Sequence, residues 1–237
     1  MTDLHTHILP GMDDGSPDVE TSLAMLRAQR DQGVDAVALT SHFYRSHERP
    51  AAFLRRRLEA MERLEDALKG LDPAERDALP RLVLGAEVAW VPHMDEWPEL
   101  EELCYEGTRF ILLEPSFRTW HESFIREVYD FMNQTGLTPV IAHIDRYYRR
   151  QPREMVEALY RMGIPIQLSA EELLHFSTRG KAMGLLKNRQ TRILISDCHN
   201  VTDRRPNMGD GLAVIRKKMG EEAVRSVGRH TDEILRT

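Results

Sequence analysis

Apolar residues fall into short, nearly continuous runs along this chain, and longer stretches of mixed polarity separate the runs. Near-continuous apolar runs are typical of parallel strands that are buried on both faces of a sheet. The pattern predicts seven strands, the first of them at the start of the chain, around Asp3–His7. The other six are Val34–Thr40, Leu82–Val88, Arg109–Glu114, Thr138–Ile144, Ile164–Ser169 and Arg192–Asp197.

The stretches between the strands repeat their apolar residues at helical spacing, which predicts amphipathic helices. The first helix begins at Ser16, because a capping serine followed by proline is a common helix start, and it ends near Gly33. The remaining helices are predicted over Ala51–Lys69, His121–Gln134, Pro152–Arg161, Gly180–Asn188 and from Gly209 to the end. The segment Leu71–Pro80, which contains two prolines, is predicted to be a surface connection.

Two motifs near opposite ends of the chain carry metal-binding residue types at a spacing of two. Residues 3–7 are Asp-Leu-His-Thr-His, and residues 196–200 are Ser-Asp-Cys-His-Asn. Side chains at positions i and i+2 of a strand project from the same face. His5 and His7 can therefore bind one ion, and the Asp and His of the second motif can face a shared cavity. Cys198 then points away from them and is interpreted as structural.

A fold that brings both motifs to one cavity must place its first and last strands side by side. Strands that alternate with helices form β/α units, and no repeat, low-complexity segment or linker divides the chain. We therefore expect an α/β protein in which residues 1–237 form a single domain, a closed or nearly closed barrel. Seven strands instead of eight make it an irregular relative of the TIM barrel.

Further residues of metal-binding type occur at the carboxyl ends of the other predicted strands, the end where β/α barrels assemble their catalytic groups. They are His42, Glu87, Glu114 and His143, together with an aspartate from the pair Asp13–Asp14. With the two motifs they make nine candidates, five histidines and four carboxylates, which suits two or three ions better than one. Imidazole and carboxylate ligands without thiolate favour manganese, iron or zinc.

The charge of such a centre indicates a phosphate ligand. Three divalent ions and four carboxylates leave an excess of about +2, which matches the charge of about −2 on a phosphate monoester near neutral pH. Arginine binds phosphate oxygens in paired fashion. Arg146 follows a candidate histidine by three residues, and Arg204 and Arg205 follow the second motif. We assign phosphate binding to Arg146 and Arg205.

Composition limits the partners and the cellular compartment that we expect for the protein. A net charge of −6 is unlike the basic excess of nucleic-acid-binding proteins, and the three consecutive arginines at residues 55–57 are interpreted as a solvated helix face. No apolar run approaches bilayer length, and Asp3 and His5 stand where a signal peptide needs apolar residues. Cys104 and Cys198 form neither a zinc motif nor a disulfide framework. We expect a cytoplasmic protein with no nucleic-acid partner and no stable membrane insertion.

From residue 3 to about residue 211, the chain resembles the polymerase and histidinol phosphatase (PHP) family. The opening motif, extended over residues 3–16 as Asp-Leu-His-Thr-His-Ile-Leu-Pro-Gly-Met-Asp-Asp-Gly-Ser, is similar to manganese-dependent protein-tyrosine phosphatases of bacterial capsule and exopolysaccharide loci. Residues 141–147, Ile-Ala-His-Ile-Asp-Arg-Tyr, and the motif at 196–200 resemble two further motifs of that subgroup. The resemblance implies a distorted seven-stranded barrel of PHP type that holds three divalent ions, with manganese expected.

The resemblance also implies a ligand set by matching position. One ion would be held by His5, His7, Glu87 and Asp197, a second by Glu87, Glu114 and His143, and a third by Asp14, His42 and His199. Asp14 is preferred to Asp13 because the family ligand precedes a glycine. The chain departs from the subgroup at residues 40–43, where Thr-Ser-His-Phe replaces Thr-Pro-His-His, so that Phe43 stands in place of a second histidine. Asp145 stands where glutamate is common.

The leading hypothesis is hydrolysis of phosphotyrosine on protein by water that the ions activate, with Arg146 and Arg205 neutralising the phosphoryl oxygens. In the subgroup the substrate is the tyrosine-rich tail of a kinase that controls polysaccharide polymerisation, so the resemblance implies such a tail as partner. The alternative is a small-molecule phosphoesterase with a histidinol-phosphate- or sugar-phosphate-like substrate. A nuclease and a catalytically silent metal-binding scaffold are further alternatives.

Overall fold

Parallel strands alternate with helices in the computed structural model, which describes residues 1–187 and 191–235. Nine strands lie within these residues, and each pairing between them is parallel. They are β1 (Thr2–Thr6), β2 (Ala36–Leu39), β3 (His42–Phe43), β4 (Arg81–Leu84), β5 (Glu87–Ala89), β6 (Phe110–Glu114), β7 (Thr138–Ile141), β8 (Gln167–Ser169) and β9 (Ile193–Ile195).

Helices follow most of the strands. The α-helices of the described residues are α1 (Val19–Asp31), α2 (Pro50–Lys69), α3 (Pro73–Ala78), α4 (Glu122–Thr135), α5 (Arg153–Arg161), α6 (Glu171–Leu174), α7 (Phe176–Lys187), α8 (Met208–Met219) and α9 (Glu221–Ile234). In this part of the chain, no helix combines the length and the apolar character that a membrane span requires.

The strands form three sheets, ordered β1-β2-β4, β3-β5-β6-β7 and β8-β9. Two isolated parallel bridges lie between sheets: Thr6 pairs with Cys198 beyond β9, and Ile141 of β7 pairs with Ile166 before β8. The first and last strands are therefore neighbours, as the two motifs predicted. The α/β fold with parallel strands is confirmed. The pairings divide it into three sheets, whereas one continuous seven-stranded sheet was predicted.

Two interruptions, one after β2 and one within the predicted strand Leu82–Val88, separate the first sheet from the second. The predicted strand Val34–Thr40 contains β2, and β3 begins only after a gap at residues 40–41. The predicted strand Leu82–Val88 is split into β4 and β5 by residues 85–86. Irregular strand ends of this kind are frequent beside active sites, where they redirect a side chain. Here each break comes just before a candidate ligand.

Buried side chains from all three sheets meet in one cluster. Leu4 of β1, Ala38 of β2, Leu112 of β6, Val140 of β7 and Ile195 of β9 are each fully buried there. A larger cluster joins the outer faces of the strands to the helices. Apolar burial on both faces explains why the strands are near-continuous apolar runs in the sequence.

Two helices, α1 and α3, begin after aspartate N-caps at positions where the sequence did not predict a helix start. Asp18, and not Ser16, caps α1: its carboxylate accepts the amide of Thr21 at 2.8 Å. Asp72 accepts the amide of Ala74 at 2.9 Å and begins α3, which lies inside the segment predicted as a surface connection. Aspartate is among the preferred N-cap residues because its oxygen satisfies an otherwise unpaired amide of the first turn.

Two helices occur where a single helix from Gly209 to the end was predicted. Gly220 has a φ of 84°, a left-handed conformation that glycine adopts at little steric cost, so α8 ends there and α9 follows. α9 returns to the start of the chain, where the Thr2 hydroxyl donates to Asp232 at 3.1 Å. The predicted helix end at Asn188 and the last two residues of the chain lie outside the described residues.

The interpretation of the three consecutive arginines as a solvated face is wrong for one of them. The Arg57 guanidinium is buried and donates to the carbonyls of Gly85 and Glu102, at 3.0 Å each. The buried face of α2 includes Phe53 and Arg57, whereas Leu58, whose spacing predicted burial, is 53% exposed. An arginine can be buried where carbonyls accept its N–H groups, and a strand break supplies one such carbonyl here.

Candidate metal centre

The predicted ligands converge at the carboxyl ends of the strands. Three groups of side chains each bring their ligand atoms within 4.8 Å of one another. The groups are His5, His7 and Glu87; His42, Glu87 and Glu114; and His7, Asp14, His42 and His199. His143 and Asp197, the two remaining predicted ligands, border the same groups through the contacts described below. All nine residues predicted from the sequence thus lie in one place.

Glu87 is the centre of the arrangement. Its carboxylate is buried and faces four imidazole nitrogens from three different segments of the chain. Its Oε2 lies 3.1 Å from His5 Nε2, 3.4 Å from His7 Nε2 and 2.9 Å from His42 Nδ1, and its Oε1 lies 2.8 Å from His143 Nε2. The strand break before β5 delivers this residue to the cavity. A carboxylate so placed can bridge two cations.

Asp197 divides its two oxygens between histidines and arginines. Oδ1 lies 3.5 Å from His5 Nε2 and 3.4 Å from His7 Nε2. Oδ2 accepts from Arg146 and, at 3.1 Å, from Arg204. One carboxylate therefore joins the ligand cluster to a pair of guanidinium groups, each of which remains about one-third exposed.

The rim of the cluster is more open than its centre. Asp14, whose side chain is exposed, places Oδ1 3.5 Å from His42 Nε2 and 3.4 Å from His199 Nε2. On the other side, Glu114 Oε1 lies 3.8 Å from His143 Nε2. A cation held at either of these edges can be reached from solvent, whereas one beside Glu87 is enclosed.

Several buried polar atoms of the cluster lack the partners that burial normally demands. Within the described residues, Nε2 of His5, His7 and His199 and Oε2 of Glu87 make no hydrogen bond of acceptable geometry. Most buried polar atoms in proteins are satisfied, because leaving them unpaired is costly. Nitrogen and oxygen atoms that face one another at about 3–3.5 Å without hydrogen bonds suit ligands around a divalent ion, so the residues present fit a metal centre.

Burial and neighbouring charges shift the pKa values of several groups in the cluster. Burial alone would lower the pKa of His5, but the carboxylates of Glu87 and Asp197 outweigh it and raise that pKa. Burial likewise opposes ionisation of Glu87, yet His5 and the other imidazoles hold its pKa well below the usual range. Burial, together with the neighbouring His7, lowers the pKa of His199 to about 3. Glu87 and His199 therefore favour the forms that bind metal, an ionised carboxylate and a neutral imidazole, whereas a cation bound at His5 would displace the proton that the two carboxylates favour.

Two residues of the centre have strained backbones. His143 has a φ of 22° and Asp197 a φ of 53°, both in the left-handed region that non-glycine residues seldom adopt. Each lies two residues after the end of a strand, His143 after β7 and Asp197 after β9. Strain of this type persists where the surrounding structure fixes a side chain for a purpose, and it clusters at functional sites.

Sequence reasoning missed the residues that orient the ligands. Asp13 Oδ2 lies 2.7 Å from His7 Nδ1 and accepts the His42 amide at 2.8 Å, so Asp13 supports two candidate ligands from behind. Gln167 Oε1 lies 2.8 Å from His5 Nδ1. Metal-binding histidines usually have a partner on the second ring nitrogen. Of the two adjacent aspartates, Asp13 supports the candidate ligands from behind, and Asp14 lies at the rim of the cluster.

We expect Asp13→Ala to weaken metal binding about 10- to 100-fold, the usual cost of removing such a supporting carboxylate. His7 would lose the acceptor that fixes its ring orientation. Manganese affinity measured by calorimetry tests this, with Asp66→Ala, an exposed aspartate on α2 that pairs with Lys69, as the control. Equal affinity in the two variants would contradict the role given to Asp13.

The phenylalanine that departs from the subgroup does not face the cluster. Phe43 is fully buried in the core, where its ring packs against Phe53 and Trp97 at centroid distances of 5.1 and 5.6 Å. Strand alternation directs it away from His42. The next residue, Tyr44, faces the cluster again, and its hydroxyl lies 3.2 Å from His42 Nδ1.

The structure brings Arg204, and not Arg205, to the centre. A turn after the second motif is closed by the Arg204 carbonyl, which accepts the amide of His199 at 2.8 Å, and it directs the Arg204 side chain inward. Arg204 Nη1 lies 3.6 Å from Asp14 Oδ2. Arg205 instead pairs with Asp210 on α8 at 2.9 Å. The position predicted for Arg205 beside the ligands therefore belongs to its neighbour.

Cys198 is the middle residue of the second motif, and its side chain faces a buried polar network. Burial raises the pKa of its thiol to about 12, which keeps it protonated and weakly nucleophilic. Gln29 Nε2 lies 3.4 Å from its sulfur and 2.7 Å from Asp3 Oδ2. Asp3 also accepts from Ser196, so this network ties β1 to the segment after β9. The thiol is placed for structure, as expected.

Comparison with known proteins gives one family. The family described as capsular polysaccharide synthesis, CpsB/CapC, matches residues 1–235. The tyrosine-protein phosphatase YwqE of Bacillus subtilis is 29% identical, over 100% of this chain and 92% of its own length. The tyrosine-protein phosphatase CpsB of Streptococcus pneumoniae is 28% identical, over 96% of this chain and 94% of its own.

A solved structure extends the likeness to three dimensions. It comes from work on YwqE of Bacillus subtilis and CpsB of Streptococcus pneumoniae, described as unique metal-dependent tyrosine phosphatases. It superposes with a TM-score of 0.83 at 26% identity and covers 100% of this chain and 94% of that one.

Proposed function

This chain belongs to the capsular polysaccharide synthesis family CpsB/CapC, and from that premise we propose that it is a metal-dependent protein-tyrosine phosphatase. The observation that carries the proposal is the convergence of histidines and carboxylates on Glu87, with two arginines joined to the same cluster through Asp197. Such a centre can hold cations and present guanidinium groups to one phosphate.

We propose that the nine converging side chains hold three divalent ions, with manganese as the expected metal, divided among them as the family resemblance implies. The first ion would be held by His5, His7, Glu87 and Asp197, the second by Glu87, Glu114 and His143, and the third by Asp14, His42 and His199. When bound, such ions lower the pKa of an attacking water and stabilise charge on phosphoryl oxygens.

The protein's own contribution is orientation and charge. Asp197 holds Arg146 and Arg204 side by side, and their exposed N–H groups can bind two phosphoryl oxygens of a substrate. Positive charge fixed in advance stabilises the oxygens as negative charge develops on them. The leaving phenolate has a pKa of about 10 and departs more readily than a serine alkoxide would. Arg204 takes the role that the sequence predicted for Arg205.

Access to the centre favours a side chain on a flexible protein segment over an enclosed small molecule. Asp14, Arg146 and Arg204 all retain exposed surface at the rim. A phosphotyrosine projecting from a chain can enter from that side. We propose as partner the tyrosine-rich tail of a kinase of polysaccharide synthesis, acting in the cytoplasm. The buried free thiols of Cys104 and Cys198 are compatible with that reducing compartment.

We also propose that the three sheets form one distorted seven-stranded barrel within a single domain. In this arrangement β2 with β3, and β4 with β5, each count as one interrupted strand. Support comes from the bridges Thr6–Cys198 and Ile141–Ile166, which lie at the two junctions that would close the ring. The central cluster, to which five strands contribute buried side chains, is consistent with a barrel interior.

The function is tested by assaying three substrates on one preparation whose metal content is measured: a phosphotyrosine peptide, histidinol phosphate and a short DNA strand. We expect manganese-dependent turnover of the peptide above the other two. The double variant His5→Ala/His7→Ala is the control, because it removes two adjacent ligands at the centre. Preferred turnover of histidinol phosphate or DNA would contradict the proposal, and peptide turnover equal to the double variant would indicate a silent metal-binding protein.

A further inference from the structure

An exposed aromatic side chain stands beside the metal centre. Phe117 follows Glu114 by three residues, in the loop after β6, and its side chain is 50% exposed. Single exposed apolar residues are common on protein surfaces and by themselves indicate nothing. Phe117 differs because its ring is part of an ordered stack that leads to a candidate ligand.

The stack consists of three rings. Phe117 lies on Tyr147 with a centroid distance of 4.9 Å and an angle of 25°, and Tyr147 lies on His143 at 5.8 Å and 20°. Tyr147 is fully buried, and its hydroxyl donates to the Pro115 carbonyl at 2.8 Å, which fixes its ring. One side of Phe117 is therefore packed on an immobile surface. The rest of its ring faces solvent in a defined orientation.

Positive charge borders this ring. The Arg150 guanidinium carbon lies 5.8 Å from the Phe117 centroid. Arg146, which begins the same turn of chain, reaches the ligand cluster through Asp197. The surface beside the centre thus combines a fixed aromatic face with cations, two features that favour an electron-rich aryl group of anionic character.

We propose that Phe117 is a specificity-determining residue whose exposed ring receives the phenyl ring of a phosphotyrosine. The inference rests on the proposed function and names how the same site selects an aryl over an alkyl phosphate. With the phosphate at the arginines, the phenyl ring of the substrate must extend outward across the rim. Phe117 is separated from the buried His143 by the buried Tyr147 ring, and its own half-exposed ring offers the substrate a rigid partner at little entropic cost.

Other exposed aromatics do not offer the same arrangement. Tyr129 is 59% exposed in the middle of α4, where it borders a groove shared with α5. Phe176 is 93% exposed at the start of α7. Among the described residues, neither ring stacks on a member of the ligand cluster or on Tyr147. Tyr129→Ala is therefore a matched control for Phe117→Ala.

The test compares wild type, Phe117→Ala, Phe117→Tyr and Tyr129→Ala with phenyl phosphate as substrate and inorganic phosphate as inhibitor. An aromatic pair contributes enough that Phe117→Ala should raise KM for phenyl phosphate about three- to tenfold. The inhibition constant of inorganic phosphate should stay unchanged, because phosphate alone does not reach Phe117. Phe117→Tyr and Tyr129→Ala should both retain the wild-type KM.

Each other outcome has a distinct meaning. An unchanged KM in Phe117→Ala, in a wild-type enzyme that hydrolyses phosphotyrosine, would overturn this inference and leave the function intact. A change in KM accompanied by an equal change in the phosphate inhibition constant would also overturn it, because Phe117 would then act only by supporting Tyr147 and His143. A change confined to long phosphopeptides, with phenyl phosphate unaffected, would show that Phe117 contacts flanking residues and would overturn it too. Failure of wild type to hydrolyse any aryl phosphate would contradict the proposed function itself.

Discussion

Glu87→Gln will lose at least one of the bound ions and lower kcat/KM by about a thousandfold or more. Glutamine keeps the shape of the side chain but removes the charge that four imidazoles face at 2.8–3.4 Å. Loss of a single preorganised polar group that stabilises transition-state charge already costs about 10²–10³ in rate. Here the lost charge would also have held the ions.

Metal content by elemental analysis and steady-state kinetics on the same sample measure this effect. Glu75→Gln on α3, which exchanges a surface carboxylate paired with Arg27, is the matched control and should behave as wild type. Circular dichroism shows whether the variant is folded, so a loss of activity can be separated from a loss of structure. Wild-type metal content together with wild-type turnover in Glu87→Gln would exclude the bridging role.

Arg146→Ala will lower kcat by about 10²–10³-fold, the cost expected when one preorganised cation no longer meets the developing charge. Asp197 holds the Arg146 pKa above its ordinary value against the opposing effect of burial, so the guanidinium is charged throughout the working range. Lysine at this position should restore only part of the rate, because it lacks the planar pair of donors.

Arg205→Ala is the control for Arg146→Ala, since Arg205 pairs with Asp210 on the surface and should tolerate the change. Arg204→Ala should fall between the two, because Arg204 shares Asp197 with Arg146 but is also engaged by the exposed Asp14. Metal content must be unchanged in Arg146→Ala for the effect to be assigned to phosphate binding. If Arg205→Ala lowered kcat as much as Arg146→Ala, the result would contradict the placement of the Arg205 side chain away from the centre.

The convergence of the candidate ligands could be predicted from the sequence because much of its physics is local. The spacing of two in an extended strand places His5 and His7 on one face whatever the rest of the chain does. Glu87 was recognisable because a carboxylate in an apolar strand requires a partner. The parallel strands themselves follow from apolar runs that are buried on both faces.

What the sequence could not supply depends on turns and on contacts between distant segments. Arg204 and Arg205 are adjacent and chemically identical, and the turn closed by hydrogen bonds between residues 199–200 and Arg204 determines which side chain faces the centre. Arg57 is buried because a distant strand break leaves carbonyls that its guanidinium can satisfy. Periodicity carries no information about either.

The supporting role of Asp13 belongs to the same category. Asp13 and Asp14 are adjacent acids, and the geometry of the turn before Gly15 assigns them opposite tasks. A Cβ at Gly15 would lie 2.2 Å from the His7 carbonyl oxygen, so the chain can make this close approach only with glycine. The preference for Asp14 as the ligand rested on the family pattern, and Asp14 Oδ1 lies 3.5 Å from His42 Nε2.

The pairing of β1 with the segment beyond β9 has a consequence for synthesis. His5 and His7 leave the ribosome long before Asp197 and His199 are made, so a nascent chain that ends before β9 carries seven of the nine candidate ligands and lacks the last two. If metal binds as proposed, the full set of ligands exists only after translation has passed residue 199, and the ions would then stabilise the completed protein by mass action. Metal binding would thus be the last step in the maturation of the protein, and a chain truncated before β9 would not complete it.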